Sequence, residues 1–283
     1  MSTSSTTEVL TLADGTLTYE LSGTEGPLVV LAHGMGDSKE AYRFLAPLLV
    51  EAGYRVAAVD LRGCGASSVG WPAYSRTAIA ADLVALVEHL GEPAVLVGHS
   101  IAGGAVTIAA ADAPSSVTAL VELAPFTRKQ QVGLADLRSP RVRRGALLLL
   151  RAALLGSVGA WEKYLDLAYP GVKPADWSAR LDQIRSMLRE PGRMRALQQM
   201  GRSSAADAGA RLGDVTCPVL VVQGSLDPDW ADPEAEGRAI VALLPSGLGR
   251  LEVVEGAGHY PHAQLPEATA RVVLDFLAAT ARA

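Results

Sequence analysis

The chain has 283 residues, 49% of them hydrophobic, enough to bury a substantial core in one large α/β domain or two smaller ones; one domain carrying an insertion is the first expectation. A formal charge of -5, with five histidines, gives no electrostatic reason to expect nucleic-acid binding. Cys64 and Cys217 are too few and too far apart for a disulfide framework.

The opening residues, MSTSSTTEVLTLADG, hold no basic segment followed by an apolar run, so a cytoplasmic protein is expected. EVLTLA and LTYELSG read as a hairpin. Six further runs follow: PLVVLAHG, YRVAAVDLRG, PAVLVGHS, VTALVELAP, CPVLVVQGS and RLEVVEG. Their near-continuous Val and Leu content is what a mostly parallel sheet covered on both faces requires. Between them KEAYRFLAPLLVEAG and RTAIAADLVALVEHLG repeat apolar residues at helical spacing and end at glycine. LPEATARVVLDFLAA supplies a last amphipathic helix whose Ala268, Val272, Leu274 and Phe276 offer apolar contacts.

The alternation is interrupted once. From about Phe126 to Ala210 every segment reads as helix, beginning with RRGALLLLRAALLG, which Arg151 interrupts and which is too short to span a bilayer. RVRR at 141 to 144 reads as the exposed start of that helix rather than a polyanion site. Helices inserted at the carboxyl ends of parallel strands would lie over the ligand crevice as a cap. The expected division is therefore 1–125 for the first part of the core, 126–210 for the cap and 211–283 for the rest of the core.

In LVGHSIAGGAV, Ser100 falls between an apolar run and a helix, at a sharp turn that would point its hydroxyl out of the sheet edge. Such a turn is tolerable only with small residues two before and two after, here Gly98 and Ala102. A serine used only as a helix cap needs no small residue two before it. As a nucleophile it needs an imidazole, and the imidazole needs a carboxylate. His259 in VVEGAGHYPH and Asp227 in VLVVQGSLDPDW each follow a strand and return over the sheet edge. Asp229 and Asp232 are alternatives to Asp227, expected farther from the strand end and solvated; His262 is expected at the rim or behind the base. The backbone N–H groups of Met35 and Ile101 are placed to receive an oxyanion, and His33 is expected to fix its loop by hydrogen bonds.

RGCGASSVG fails the full G-x-G-x-x-G spacing, and HYPH lacks the other ligands of a metal site, so no cofactor and no metal are expected. Cys64 has no nearby base that would make it a reactive thiol.

Taken together, AHGMG, DLRGCGAS, GHSIAGG, GSLD and GAGHYPH resemble the α/β-hydrolase family in its capped branch, from about Thr7 to Ala279 apart from the helical block. The resemblance implies an eight-stranded, mostly parallel sheet flanked by helices, with a helical cap inserted after the sixth strand. It implies Ser100 as nucleophile, Asp227 as acid, His259 as base and Met35 and Ile101 as oxyanion donors, while Asp60 and Arg62 match a structural segment. Ala102 stands where many members carry glycine. Serine at the elbow argues against the epoxide hydrolases and haloalkane dehalogenases of the family, which carry aspartate there.

The Leu- and Ala-rich cap predicts an apolar pocket walled by Phe126, Leu150, Leu154, Trp161 and Trp230, and no arginine pair is foreseen in the catalytic loops. The expected substrate is accordingly a neutral small molecule, an ester or lactone, with no nucleic-acid or membrane partner. Perhydrolysis and carbon–carbon bond hydrolysis use the same residues and stand as alternatives, as does a non-catalytic binder on the same fold.

Overall fold

In the computed structural model, which describes residues 5–131 and 133–280, eight strands form one sheet. The strands are β1 (Ser5–Leu12), β2 (Gly15–Ser22), β3 (Leu28–Ala32), β4 (Arg55–Val59), β5 (Ala94–His99), β6 (Val117–Leu123), β7 (Val219–Gly224) and β8 (Gly249–Val254). Their order across the sheet is β1-β2-β4-β3-β5-β6-β7-β8. β1 and β2 form the expected antiparallel hairpin, β2 runs antiparallel to β4, and every later pairing is parallel. β3, β5 and β7 are buried along their whole length, which is why they lack the alternation of a half-exposed strand.

The core helices are α1 (Leu45–Glu51), α2 (Arg76–Leu90) and α3 (Ile101–Asp112) before the insertion, then α10 (Pro233–Val241), α11 (Pro261–Gln264) and α12 (Pro266–Thr280) after it. Ile79 and Leu83 of α2, Val106 of α3 and Ile240 of α10 pack on one face of the sheet. Leu45 and Leu49 of α1 pack on the other with Val273, Phe276 and Leu277 of α12. Of the expected apolar contacts of α12, Phe276 belongs to this buried cluster, and Ala268, Val272 and Leu274 pack half-buried against its margin. The first expected helix is shorter than its pattern. Pro47 lacks an N–H and fits only the first turn of a helix, so α1 starts at Leu45 and runs only seven residues, with Lys39–Tyr42 forming a separate 3-10 turn.

Between β6 and β7 lie α4 (Leu134–Arg138), α5 (Pro140–Leu155), α6 (Val158–Ala168), α7 (Trp177–Arg189), α8 (Arg193–Arg202) and α9 (Ala206–Gly209). They form the helical cap, with a core of their own built on Leu148, Trp161, Tyr164, Ile184, Leu188 and Leu197. Ser139 accepts from the Val142 N–H to start α5, Pro140 supplies its first residue, and Gly156 at φ 62° ends it.

One buried acid serves the fold alone. Glu122 on β6 is fully buried and accepts hydrogen bonds from Thr107 and, at 2.6 Å, from Thr127. Burial outweighs both hydroxyl bonds and pushes its carboxyl up from 4.5 to about 7. The unfolded chain therefore releases this proton first as pH rises, and the site's contribution to stability falls between pH 4.5 and 7, by on the order of 3 kcal/mol. Glu122→Gln is expected to remove this fall. Urea unfolding of both proteins at pH 5 and pH 7 checks it, the difference between them isolating this group.

Candidate active site

Ser100 joins β5 to α3 at φ 56° and ψ -116°, a left-handed conformation that strains any residue with a Cβ. Its side chain makes no capping hydrogen bond to the helix. Its backbone is held instead: the Ser100 N–H donates to the Leu123 carbonyl, and the Ser100 carbonyl accepts from Phe126 and Gly103, each at 3.0 Å. Gly98 is demanded by the backbone, since a Cβ there would stand 2.3 Å from the Ala102 carbonyl oxygen. A Cβ at Gly34 would come within 2.7 Å of the His99 ring and 3.2 Å of Ser100 Cβ. The loop after β3 therefore lies directly against the serine.

That loop is pinned by His33. Its Nε2 accepts from the Leu61 N–H at 3.0 Å, which leaves Nδ1 to donate to the Gly34 carbonyl at 2.6 Å, so both ring nitrogens are occupied. Burial pushes its pKa down and keeps it neutral. Met35 and Ile101 share one cavity with Ser100, and neither backbone N–H meets an acceptor among the described residues. Two unclaimed donors beside a serine hydroxyl are what a developing oxyanion requires.

His259 Nδ1 lies 2.8 Å from Asp227 Oδ2 at the ends of β8 and β7, and both side chains are buried. Gly224 permits this approach: a Cβ there would sit 2.0 Å from the Gly258 carbonyl. His99 reaches the His259 carbonyl at 2.8 Å through Nε2. A second acid is also present, contrary to the expectation of a solvated Asp229. Asp229 Oδ2 is 3.3 Å from the same Nδ1, and the residue is buried. The Tyr164 hydroxyl of α6 donates to that oxygen at 2.6 Å, and the Asp229 N–H donates to Asp227 Oδ1 at 2.9 Å. Asp232, the other alternative, N-caps α10 by accepting from Ala235.

Burial alone would lower the pKa of the imidazole, but the two carboxylates reverse this and raise it to about 9. Burial and the neighbouring Asp227 charge raise Asp229 to about 6, against the pull of His259. Asp227, Asp229 and His259 are also the one group among the described residues whose ligand atoms, all within 4.8 Å of one another, match a cation site. The Nδ1 to Asp227 hydrogen bond and the Tyr164 donor already use the same lone pairs. His262 is neither at the rim nor in this group. It is fully buried, stacked on Tyr42 with ring centroids 4.8 Å apart, and burial pushes it down to about 3.

The cavity over Ser100 and His259 measures about 450 Å³. Phe126, Leu150 and Trp161 line it as expected, although Leu150 is at the mouth and 53% exposed. Two expected wall residues lie elsewhere. Leu154 is one turn farther along α5 than Leu150, beyond the cavity lining, and 53% exposed; Leu149 and Ala153 line the cavity instead. Trp230 is buried behind Phe126, their rings 5.1 Å apart. Substituting Leu149 by alanine is therefore expected to reorder relative rates across a chain-length series of substrates about tenfold, whereas Leu154→Ala should leave the series within about twofold; kcat/KM over the series checks both.

The cavity is also less neutral than the sequence led us to expect, because Arg76 and Arg128 both line it. They come from the start of α2 and the segment after β6, outside the loops that carry Ser100, Asp227 and His259.

The cap is tied down at more than its two chain junctions. Arg180 of α7 is buried in an ion pair with Asp37 and donates to Ser38 at 2.9 Å, in the loop after β3. Arg43 holds Asp176 at 2.5 and 2.6 Å. The His259 N–H donates to the Ala168 carbonyl at the end of α6 at 2.9 Å. Cap and base are thus in direct contact. Elsewhere, Asp60 accepts from the Lys39 and Ala66 N–H groups, and Arg62 forms a two-pronged pair with Asp82 at 2.7 Å, both structural. Cys64 is buried and its thiol is pushed up to about 12, which leaves it inert; Cys217 lies half-buried two residues ahead of β7.

The sheet order, the cap after β6 and the serine turn together define the α/β-hydrolase fold. The profile of the alpha/beta hydrolase fold family matches residues 27–265, and the chain belongs to that family. Among curated relatives, it is 28% identical over 266 residues to 2-(acetamidomethylene)succinate hydrolase of Mesorhizobium japonicum, covering 89% of this chain and 88% of that one. It is 27% identical over 291 residues to the 2-hydroxy-6-oxononadienedioate/2-hydroxy-6-oxononatrienedioate hydrolase of Cupriavidus pinatubonensis, covering 96% and 95%. Among solved structures, the 2-hydroxy-6-oxo-6-phenylhexa-2,4-dienoate hydrolase of a Rhodococcus species superposes with a TM-score of 0.80 at 18% identity, over 98% of this chain and 99% of that one. Among the described residues no helix is long and apolar enough to cross a membrane.

Proposed function

We propose that the protein is a serine hydrolase in which Ser100 Oγ attacks a carbonyl carbon of a small substrate held under the cap. The observation that carries this reading is a strained, uncapped serine sharing one cavity with His259, whose other ring nitrogen is held by Asp227. His259 Nε2 takes the hydroxyl proton as the Oγ–carbon bond forms, and the Met35 and Ile101 N–H groups receive the charge on the carbonyl oxygen. The imidazolium then returns the proton to the leaving atom as its bond to the carbonyl carbon breaks. A water, deprotonated by the same imidazole, releases the acyl group from Ser100.

Two kinds of bond suit this sequence. Cleavage of a carbon–carbon bond beside a ketone is favoured by the relative named for oxo-dienedioate substrates, matched along nearly its whole length. Ester hydrolysis is the second reading, favoured by the simplicity of the constellation, which needs no further group to stabilise an alkoxide leaving group. Purified enzyme offered a 1,3-diketone-like substrate and a matched ester of equal length separates them. The first reading expects kcat/KM at least tenfold higher on the ketone; a reversed order establishes the esterase, and turnover of neither, with intact substrate binding, overturns both.

A further inference from the structure

Arg76 is a buried cation with no carboxylate of the described residues in contact with it; the charge of Asp207 reaches it only from beyond ion-pair distance. Only 6% of its surface is exposed, yet no carboxylate lies within ion-pair distance of it among the described residues. Its Nε donates to the Phe126 carbonyl at 3.0 Å, and its Nη1 donates to Ser203 Oγ at 3.0 Å and to the Ser203 carbonyl at 3.3 Å. Nη2 has no partner among the described residues, and the side chain lines the cavity that holds Ser100. Three neutral acceptors satisfy hydrogen bonds and Asp207 acts only from a distance, so the guanidinium lacks a contacting counter-ion, and a buried charge left so is costly.

The placement is unfavourable in a second way. Arg76 is the first residue of α2, a 15-residue helix with no acid in its first turn, where the helix dipole repels a cation. Space has nevertheless been cleared for it. A Cβ on Gly104 would stand 2.7 Å from Arg76 Cδ and 3.0 Å from Nε, so the last glycine of GHSIAGG makes room for the arginine. Around it, Ser203, Ser204 and the exposed Lys129 line the same cavity, and Lys129 has no ion pair among the described residues. Arg128, by contrast, is already matched by Glu236 at 2.5 Å.

We propose that this end of the cavity is a carboxylate subsite, in which a substrate carboxylate supplies the contacting counter-ion that Arg76 lacks, with Lys129 and Ser204 along its approach. Gly104 lies four residues after Ser100, about one turn of helix or ~6 Å of rise. The substrate therefore carries its carboxylate only a few bonds from the carbonyl under attack. The anion site itself stands on Arg76; only the location of the reacting carbon rests on the proposed role of Ser100.

The test uses glutarate, which the enzyme has no bond to hydrolyse, and its neutral counterpart glutaramide, in calorimetric titrations of the wild-type protein. Glutarate is expected to bind at least tenfold more tightly than glutaramide, and less tightly as salt is raised. Arg76→Gln should abolish that difference. Gly104→Ala, which keeps the charge but displaces the guanidinium, should weaken it severalfold, with thermal unfolding showing that both variants fold. In kinetics, the preference in kcat/KM for 4-nitrophenyl hemiglutarate over 4-nitrophenyl pentanoate should fall tenfold or more in Arg76→Gln, chiefly through KM, and be partly restored in Arg76→Lys. Equal binding of glutarate and glutaramide by the wild-type protein overturns the subsite, whatever the variants do. Glutarate binding that depends on Arg76, together with turnover that survives Ser100→Ala, keeps the subsite and overturns the role of Ser100.

Discussion

Ser100→Ala is expected to lower kcat by about 10⁴- to 10⁶-fold while leaving KM within a few-fold. The serine oxygen makes no helix-capping bond, and alanine can occupy the same φ of 56° at similar strain, so the substitution removes the proposed nucleophile and little else. Stability should move by less than about 1 kcal/mol, because the backbone bonds from Ser100 to Leu123, Phe126 and Gly103 do not involve the side chain. Rate and stability are thus expected to separate cleanly. Steady-state kinetics and thermal unfolding on the same preparation check both halves, and a variant that unfolds as easily as it loses activity would point to a structural serine.

The second large effect concerns the two acids on one imidazole. Asp227→Asn is expected to cost less than the roughly 10⁴-fold that removing the acid of a serine triad can cost, because Asp229 Oδ2 already stands 3.3 Å from His259 Nδ1. We expect a loss on the order of 10²-fold, deepening to about 10⁴-fold in the Asp227→Asn/Asp229→Asn double variant. Asp229→Asn alone should act through pH. A neighbouring carboxylate favours the protonated imidazole, and His259 must be neutral to accept the serine proton, so the two acids together set an acid limb that rises toward about 9. Removing one negative charge lowers that pKa, and the limb should move down by ~1 pH unit or more. Stability follows the same sign. The raised His259 pKa contributes stability that is full below its ordinary 6.5 and lost as pH rises through about 9, and the variant should lose part of it. A pH profile of kcat/KM for the three variants decides the matter; an unmoved limb in Asp229→Asn would show that this acid does not sense the base.

Much of the fold was legible because its signals are one-dimensional. Continuous Val and Leu runs mark β3, β5 and β7, and the strandless stretch from about 126 to 210 marks the cap, because buried parallel strands and amphipathic helices differ in hydrophobic period. Gly98 could be read because the serine turn leaves it no room, although the atom that excludes a side chain is the Ala102 carbonyl rather than its methyl. What could not be read are the encounters between distant segments. Asp229 looked like a solvated neighbour of Asp227 until Tyr164, 65 residues away in the chain, closed over it. Leu154 and Leu149 are equivalent in composition and differ only in the rotation of α5 over the cavity. Arg76 is one cation among 25 in the sequence, and only the three-dimensional arrangement leaves it without a contacting carboxylate among the described residues. Gly104 was a usable signal for it. Neither glycine of α3 serves the serine turn: Gly103 gives way to Pro125, and Gly104 to the arginine side chain and Ala208.

The most direct test of Ser100 as nucleophile is covalent. A fluorophosphonate probe forms a stable bond only with a serine oxygen activated by a base, and intact-mass measurement followed by peptide mapping locates the adduct. One probe per chain, on Ser100, is predicted, with labelling slowed by orders of magnitude in His259→Ala and absent in Ser100→Ala. Labelling at another residue, or none at Ser100 in protein that turns substrate over, would contradict a serine mechanism at this site.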